Sequence, residues 1–432
     1  MSNNTNLALE KLKSAIEEYC TENHNFYGFD SAKPAVRLHE PTFGADEIFA
    51  ATNQMLTTYV TMGKQVKAFE AQYASEFGNK YALFNNSGSS ANLLAIAALT
   101  NHMAKNRLNA GDEIIVPALS WSTTVWPLIQ YGLVPVFVDC DPLTYNFDLN
   151  KLEAAITPAT KAIMLVHVYG NPCDMDGLML LAKKHNLQVI EDSCESMGAY
   201  YKGKAVGTFG RVATFSTYFS HHITTLEGGV TVTDDFELIE IMRMLRAHGW
   251  SRETDEHQKY VQQYSHIDQR FIFVNLGYNL RATEVQAVMG QIQLPKLKTF
   301  VKQRRENCAY YLKEFAKYSE FFDYQQETDG AESSWFGFGL TLKNSAPFKV
   351  SDITKYFNNK GIETRPIIAG NMAAHPVMQH YKHRVSGSLS NSDNIMKNGF
   401  AIGCHHAILA PAREYVANVM AEFIKQYSKA AA

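Results

Sequence analysis

The sequence predicts an α/β fold in which a large domain carries a mainly parallel sheet and a smaller α+β domain follows. Short β-rich runs succeed one another from residue 113 to residue 192, reading EIIVPAL, VPVFVD, KAIMLVHVY and LQVIED. Helical patterns such as DLNKLEAAI and MDGLMLLAKKH separate several of these runs, which is typical of a parallel sheet covered by helices on both faces. A chain of 432 residues is also long for a single hydrophobic core.

The remaining elements of the large domain follow from local patterns. The stretch from Asp46 to Phe77 is helical in pattern and is broken at Thr61–Gly63. The strand-like YALFNN then runs into SGSSANLLAIAALTNHMA, where small residues form a turn that opens an apolar helix. VATFST and GGVTVTD continue the predicted sheet, and a long helical region from Ala282 to Lys317 is broken at Pro295.

The chain divides into three predicted segments. Its start, MSNNTNLALEKLKSAIEEYC, has the pattern of an amphipathic helix, so residues 1–35 are predicted to form a helical extension. Residues 36–300 form the predicted large domain. WFGFGLTL, VSDITKYFNNKG and IETRPI lie beyond that region, and they predict a small domain over residues 301–432.

Composition excludes several classes of protein. A net charge of −3 argues against nucleic-acid binding, which usually needs a cationic excess. No apolar run approaches the ~20 residues that span a bilayer, and the N-terminus lacks the pattern of a secretory signal. The six cysteines are scattered without a C-x-x-C pair, which suits a reducing compartment. We expect a cytoplasmic protein with no membrane partner and no nucleic-acid partner.

Candidate functional residues cluster where predicted strands end, the edge at which α/β sheets bind ligands. The small residues Ser87–Ala91 open a helix, and they predict either a phosphate site at its N-terminus or an ordinary capped helix. Asp192 ends LQVIED, where a carboxylate can keep a pyridine nitrogen protonated or act as a helix cap. Glu195 follows one turn later, and Trp121 in PALSWSTTVW offers a plane for stacking or a core side chain.

The stretch FSTYFSHHITTLEGG carries the most informative residues. Ser216 ends the strand VATFS, and His221 follows five residues later. Adjacent histidines raise the possibility of a metal site, but no carboxylate or cysteine lies at a local ligand spacing. We therefore expect no metal site.

Taken together, the motifs resemble those of the DegT/DnrJ/EryC1/StrS family of sugar-nucleotide aminotransferases. The resemblance runs from about Arg37 to the C-terminus, and it includes TMGKQVKAFE, NSGSSANLLA, PALSW, IEDSCESMGA, FSTYFSHHITTLEGG, LRAHGW and LGYNLRATEVQA. It implies the aspartate-aminotransferase (type I) fold and the cofactor pyridoxal 5'-phosphate (PLP) or its amine form, pyridoxamine 5'-phosphate (PMP).

The resemblance also implies roles for single residues. Ser89, Ser90 and Ser216 would hold the cofactor phosphate. Trp121 would stack on the cofactor ring, and Asp192 would pair with the pyridine nitrogen.

Three further roles come from the same resemblance. Glu195 would lie near the ring hydroxyl. Asn279, in the GYN motif, would reach the phosphate bound by the neighbouring subunit, which implies a homodimer with shared active sites. Arg365, in ETRPIIAGN, would contact the nucleotide sugar.

One residue departs from the family pattern. His221 stands where the family has the lysine that forms a Schiff base with PLP, and no lysine occurs between Lys204 and Lys259. Imidazole cannot form that bond, but it can move a proton, since its unperturbed pKa is near 6.5. Within the family, this sequence most resembles the branch that has histidine in this position. These are the 3-dehydratases of dideoxysugar biosynthesis, which use PMP to remove a C3 hydroxyl.

The positions of cysteines distinguish the enzymes of this branch that carry an iron–sulfur cluster from those that do not. The CDP-sugar enzymes carry a 2Fe–2S cluster held by one cysteine after the IED motif and three more downstream. Cys194 fits the first position, but no cysteine lies between it and Cys308, and thiolate-bound clusters need four. We therefore expect no iron–sulfur cluster and a likeness to the cluster-free enzymes of colitose-type O-antigen biosynthesis. These act on GDP-4-keto-6-deoxy-D-mannose, and L-glutamate converts PLP to PMP.

Three alternatives are also compatible with the sequence. The segment before the family match is more like the CDP-sugar enzymes, so a CDP-4-keto-6-deoxyglucose 3-dehydrase is the first alternative. The second is a sugar-nucleotide aminotransferase with a lysine from elsewhere. The third is a PLP-binding regulator without catalysis, for which the intact set of polar residues is unexpected.

Overall fold

The structure is a computed structural model that describes residues 3–428. Residues 1–2 and 429–432, at the outer ends of the predicted extension and small domain, lie outside the described residues. The helices are α1 Asn3–Asn23, α2 Ala45–Leu56, α3 Lys64–Phe77, α4 Gly88–Leu99, α5 Ser122–Gln130, α6 Leu149–Ala155, α7 Met175–Lys184, α8 Phe236–Arg246, α9 His257–Gln263, α10 Glu284–Gln293, α11 Leu297–Phe315, α12 Val350–Asn359, α13 Ser390–Asn398 and α14 Ala410–Ser428.

The strands form three sheets. They are β1 Tyr81–Asn85, β2 Glu113–Pro117, β3 Val134–Val138, β4 Thr160–Val166, β5 Gln188–Asp192, β6 Tyr200–Tyr201, β7 Lys204–Ala205, β8 Val212–Ser216, β9 Gly229–Thr233, β10 Phe322–Tyr324, β11 Ala331–Glu332, β12 Phe338–Leu342, β13 Thr364–Arg365, β14 Arg384–Val385 and β15 Gly399–Ile402.

The largest sheet has eight strands in the order β1-β9-β8-β5-β4-β2-β3-β14. Every pair from β8 to β14 in that order is parallel, whereas β9 pairs antiparallel with both β8 and β1. The predicted mainly parallel sheet is therefore confirmed. The two antiparallel pairs at one edge were not predicted, because hydrophobic runs alone do not reveal the direction of a strand.

Helices cover both faces of this sheet, as the strand composition requires. Successive residues of β2 belong to different cores: Ile114 packs with α4, α5 and α8, and Ile115 packs with α6 and α7. α4 is the most enclosed helix near the site, and nine of its residues are buried. Its alanine-rich sequence allows this close packing because small side chains let a helix approach the sheet.

A second sheet is antiparallel, with the order β10-β12-β15-β13. α11, α12 and α14 contribute side chains to the core that it covers. Val36, which precedes the family-like region, forms a bridge with Ile362 and is 2% exposed in this same core. The N-terminal segment is thus anchored on the second sheet, while α1 contacts α2.

The predicted boundary near residue 300 falls inside α11, a continuous helix. In addition, β14 comes from the predicted small domain but pairs with β3 at the edge of the large sheet. The division into domains stays a prediction. No helix within residues 3–428 is both long and apolar enough to cross a membrane.

Candidate active site

A cavity of about 350 Å³ opens beyond the carboxyl ends of β5 and β8. The starts of α4 and α5 form one side of it, and residues near the second sheet form the other. Its apolar wall with a few convergent polar groups is typical of a small-molecule site. The sequence-predicted residues that line it are Ser89, Trp121, Asp192, Glu195, Ser216, His221 and Arg365.

Two predicted residues lie outside the cavity wall. The Ser90 hydroxyl accepts a hydrogen bond from the Ser87 hydroxyl (3.0 Å), and its backbone N–H donates to Ser87 Oγ (3.0 Å). Ser90 therefore belongs to the cap of α4. Asn279 is exposed, and its Oδ1 accepts a hydrogen bond from Arg281 Nε (2.9 Å).

The N-terminus of α4 faces Ser216 across a close contact that only glycine permits. A Cβ added to Gly88 would lie 2.7 Å from the Ser216 Cβ. The N–H groups of Gly88 and Ser89 are in the first turn of α4, where a helix offers them no carbonyl partner. Together with the helix dipole, they make this corner of the cavity a site for an anion.

Asp192 is held in the cavity floor by three hydrogen bonds. Its Oδ2 accepts one from Asn92 Nδ2 (2.9 Å) and one from the Thr124 hydroxyl (2.7 Å), and its Oδ1 accepts one from the Cys194 N–H (3.2 Å). Asn92 is in turn fixed by the Thr214 hydroxyl, which donates to its Oδ1 (2.6 Å). The carboxylate is 5% exposed, so its orientation is set before any ligand arrives.

Asn92, Thr124 and Thr214 are functional residues that the sequence analysis missed. Local signals existed for two of them. Asn92 lies within the family motif NSGSSANLLA, and Thr214 lies two residues before Ser216, on the same face of β8 because strand side chains alternate. Thr124 carries no local signal besides its position on α5.

Glu195 lies beside Asp192 in the cavity, and its Oε2 accepts a hydrogen bond from the Tyr169 N–H (3.1 Å). The pKa of Glu195 is raised to about 7 because burial, with a small addition from the charge of Asp192, outweighs the opposing effects of Arg365 and of the Tyr169 N–H. The side chain keeps part of its surface toward the cavity. Near neutral pH this carboxyl group is thus able to donate a hydrogen bond as well as to accept one.

His221 lies in the cavity wall between aromatic rings. Its imidazole is 5.0 Å from the Phe336 ring and 6.0 Å from the Tyr218 ring, measured between centroids. Its Nδ1 is buried without a hydrogen-bond partner among the described residues, which leaves Nε2 as the nitrogen open to the cavity. Burial, followed by the charges of Arg304 and Arg365, lowers the pKa of His221. The ring is therefore neutral and able to accept a proton.

Trp121 and Arg365 stand at the mouth of the cavity. The Trp121 indole is 50% exposed, which is unusual for so large an apolar ring and suits stacking on a flat ligand. Arg365 is half-buried on β13 and reaches the cavity from the second sheet. It brings a positive charge to the side of the cavity away from α4.

These residues fit a phosphorylated pyridine such as PLP. An anion site at α4, a fixed carboxylate on the floor, an exposed indole at the mouth and a volume of about 350 Å³ match its phosphate, ring nitrogen, ring face and size. No lysine is among the residues that line the cavity in the described chain.

The adjacent histidines His221 and His222 also raise the alternative of a metal site. Residues 3–428 contain no group of three or more His, Cys, Asp and Glu side chains that could hold a metal ion. Cys194 is part of the cavity wall, and burial raises the pKa of its thiol. Cys308 and Cys404 lie together in the core of the second sheet instead.

Comparison with known proteins identifies the family. The model of the DegT/DnrJ/EryC1/StrS aminotransferase family matches residues 42–422. The chain is 42% identical over 386 residues to the GDP-4-keto-6-deoxy-D-mannose 3-dehydratase of Yersinia pseudotuberculosis, an alignment that covers 89% of this chain and 97% of the relative.

Solved structures agree with this result. A GDP-4-keto-6-deoxymannose-3-dehydratase variant, with one histidine replaced by asparagine and with bound GDP-perosamine, superposes with a TM-score of 0.85 at 41% identity. That match covers 89% of this chain and 99% of the other. The same enzyme type with a trapped PLP-glutamate geminal diamine gives a TM-score of 0.82 at 39% identity, with coverages of 89% and 99%. The predicted aminotransferase-type fold is confirmed, and the chain belongs to the DegT/DnrJ/EryC1/StrS aminotransferase family.

Proposed function

We propose that this protein is a PLP/PMP-dependent 3-dehydratase that removes the C3 hydroxyl of a nucleotide-linked 4-keto-6-deoxyhexose, with GDP-4-keto-6-deoxy-D-mannose as the substrate and L-glutamate as the amino donor. The observation that carries the proposal is His221, a neutral imidazole in the wall of a cavity whose lining, in the described chain, includes no lysine. Relatives named as GDP-4-keto-6-deoxymannose 3-dehydratases, one with GDP-perosamine and one with a PLP-glutamate adduct, support the substrate and the donor.

The cofactor, when bound, supplies an amine that condenses with the sugar ketone and a ring that accepts electrons. The phosphate would be bound by the N–H groups at the start of α4 and by Ser216. Asp192 would hold the proton of the pyridine nitrogen, because its carboxylate is fixed in the cavity floor. Trp121 would cover one face of the ring, and Glu195 would hydrogen-bond the ring hydroxyl.

His221 would carry the proton transfer. Its Nε2 faces the cavity as a neutral acceptor, so it can take a proton from the carbon next to the cofactor ring and release it later. An anionic phosphate in the cavity would raise the pKa of this imidazole toward neutrality, since a nearby negative charge favours the protonated ring. Phe336 and Ile368 line the same wall and would limit the access of water.

Arg365 would contact the nucleotide sugar. It is the cationic side chain in the cavity lining within the described chain, and it comes from the side opposite the anion site of α4. A diphosphate is the part of the substrate that a guanidinium binds best. We also propose that the enzyme acts in colitose-type O-antigen biosynthesis. Its proposed location is the cytoplasm.

We infer that the working enzyme is a homodimer. Asn279 is exposed, and it lies near Leu276 and Phe273, which are 93% and 54% exposed. Exposed apolar side chains of this size are typical of a protein–protein interface. If two subunits associate through this surface, Asn279 of one subunit would approach the cofactor phosphate bound in the other.

Hybrid dimers test the shared site. His221→Asn and Asn279→Ala should each be nearly inactive alone. After mixing and subunit exchange, one of the two sites in a hybrid has both residues intact, so part of the activity should return. No recovery in a preparation that light scattering shows to be dimeric and exchanged would contradict the role of Asn279.

The reaction is tested with GDP- and CDP-4-keto-6-deoxyhexoses, PLP and glutamate. We expect 2-oxoglutarate, ammonia and a GDP-linked 4-keto-3,6-dideoxy sugar, identified by mass spectrometry and NMR. A stable 4-amino sugar would identify an aminotransferase, and preference for the CDP sugar would contradict the assigned nucleotide. His221→Asn should still bind PMP, seen by its absorbance, but should form no dideoxy product.

A further inference from the structure

Arg304 is a fully buried guanidinium behind the cavity wall. It lies on α11 and is 2% exposed. Its Nη1 donates to the carbonyl oxygens of Trp335 (3.0 Å) and Phe336 (3.1 Å), its Nε has no partner, and no carboxylate pairs with it among residues 3–428. The adjacent Arg305 differs, because it is 36% exposed and pairs with Glu327 (3.0 Å). The buried thiol of Cys404 also contacts the guanidinium. A buried cation without a carboxylate partner is nevertheless costly, so its retention calls for a reason.

The segment that Arg304 holds is strained. Trp335 is 4% exposed and has a φ of 50°, in the left-handed region that a bulky side chain rarely adopts. The N–H of Phe336 donates to Tyr169 O (2.8 Å), on the far side of the segment. Arg304 binds both carbonyls that this turn directs inward, and it thereby fixes the position of the Phe336 ring.

His221 and the adjacent His222, which lies behind the cavity wall, both pack against this segment. The Phe336 ring lies 5.0 Å from the His221 ring and 6.0 Å from the His222 ring. His222 Nε2 also lies 3.1 Å from Ser334 O. Since His221 Nδ1 has no hydrogen-bond partner among the described residues, ring packing against Phe336 and Tyr218 is what orients the imidazole.

Three basic side chains from different parts of the fold act on His221. Arg304 on α11, Arg365 on β13 and His39 each lower the pKa of His221, after the larger effect of burial. Arg304 also lowers the pKa of His222, again after burial. Within residues 3–428, the carboxylates that line the same cavity are not among the groups that shift the pKa of His221.

We propose that Arg304 is a positioning residue for proton transfer at His221: it fixes the strained turn that seats the imidazole, and its buried cation, behind that turn, disfavours a positive charge on the ring. The inference rests on the proposed function for the meaning of the proton transfer. The physical link between the two residues stands without it, so the two are tested separately.

The first test uses no cofactor or sugar. Protein labelled at histidine Cε1 is titrated by NMR, and the His221 resonance is assigned with His221→Asn. In the unmodified protein we expect the pKa of His221 to lie well below its ordinary value of about 6.5, whereas Arg304→Gln should raise that pKa by about 1 or more, since a buried like charge is removed. The matched control Arg305→Gln should leave the resonance unchanged.

The second test separates charge from position. Arg304→Lys keeps the cation but cannot bind two carbonyls with the same planar group. We expect it to keep the His221 titration of the unmodified protein and to lower kcat about tenfold through misplacement of the imidazole, with little change in the KM for the sugar nucleotide. Arg304→Lys also tests the positioning role if Arg304→Gln does not fold.

Each result decides one part of the proposal. Equal His221 titration in Arg304→Gln and in the unmodified protein, or the same change in Arg305→Gln, overturns the electrostatic role. An unchanged kcat in Arg304→Lys overturns the positioning role. Absence of any dideoxy product from the unmodified enzyme refutes the proposed function instead, and it leaves the NMR comparison valid.

Discussion

Thr124→Val is the most direct test of how the cavity floor is built. Thr124 is fully buried, and its hydroxyl donates a 2.7 Å hydrogen bond to Asp192 Oδ2. Valine has nearly the same shape, so the substitution removes this bond without opening a cavity. A hydrogen bond to a charged acceptor contributes about 1.5–3 kcal/mol.

Only part of that free energy should appear in cofactor binding. Asp192 keeps its bonds from Asn92 Nδ2 and from the Cys194 N–H, so the carboxylate turns but stays in place. We expect a loss of about 1.4 kcal/mol, which is tenfold in the dissociation constant of PLP. The measurement is a titration with PLP, followed by absorbance and by quenching of tryptophan fluorescence.

Thr123 supplies the matched control. Its side chain lines the same cavity but makes no hydrogen bond to Asp192 within the described chain, so Thr123→Val should bind PLP within about twofold of the unmodified protein. Equal weakening by both substitutions, or normal binding by Thr124→Val, would refute the reasoning. The double variant Thr124→Val/Asn92→Leu should lose more PLP-binding free energy than the two single variants together, because both side chains bind the same oxygen of Asp192.

Three further predictions concern steric fit, stability and pH. Gly88→Ala should weaken PLP binding at least about tenfold through the clash described above, and Gly44→Ala, where a Cβ meets nothing within 4 Å, should not. Glu284→Ala should lower the free energy of unfolding in urea by about 3 kcal/mol, because the buried carboxylate accepts three backbone N–H groups at the start of α3, whereas exposed Glu306→Ala should have almost no effect. Without cofactor, the melting temperature of the unmodified protein relative to that of Glu195→Gln should fall as pH rises from about 4.5 to about 7, since the raised pKa of Glu195 lets the folded state bind more protons there.

The sequence predicted the parts of the fold that local patterns encode. Continuous apolar runs identified β2, β3, β4 and β5, and small residues identified the start of α4. The two-residue strand β14 has no such pattern, because its place at the edge of the sheet depends on β3 far away in sequence. The same holds for Val36, whose pairing with Ile362 binds the N-terminal segment to the second sheet.

The residues of the cavity likewise divide into those that the sequence pattern predicts and those that only tertiary contacts reveal. Residues at strand ends, such as Asp192 and Ser216, follow from position in the chain, and the departure at His221 followed from the family pattern. The residues that hold Asp192 in place do not follow from position in the chain, since Asn92 and Thr124 lie 100 and 68 residues from the carboxylate that they bind. Phe336 and Arg304 were missed because their importance comes from tertiary contact alone.

The pairing of β14 with β3 has a consequence for how ligands enter. The segment that carries Arg365 is followed by Met372, whose N–H donates to Ala118 O (2.8 Å), and then by β14 in the large sheet. The segment after Arg365 is thus hydrogen-bonded to the large sheet region at two places, at Ala118 and along β3. Substrate exchange should therefore proceed through the mouth beside Trp121 and not by rotation of the second sheet against the large sheet, so turnover should respond weakly to solvent viscosity.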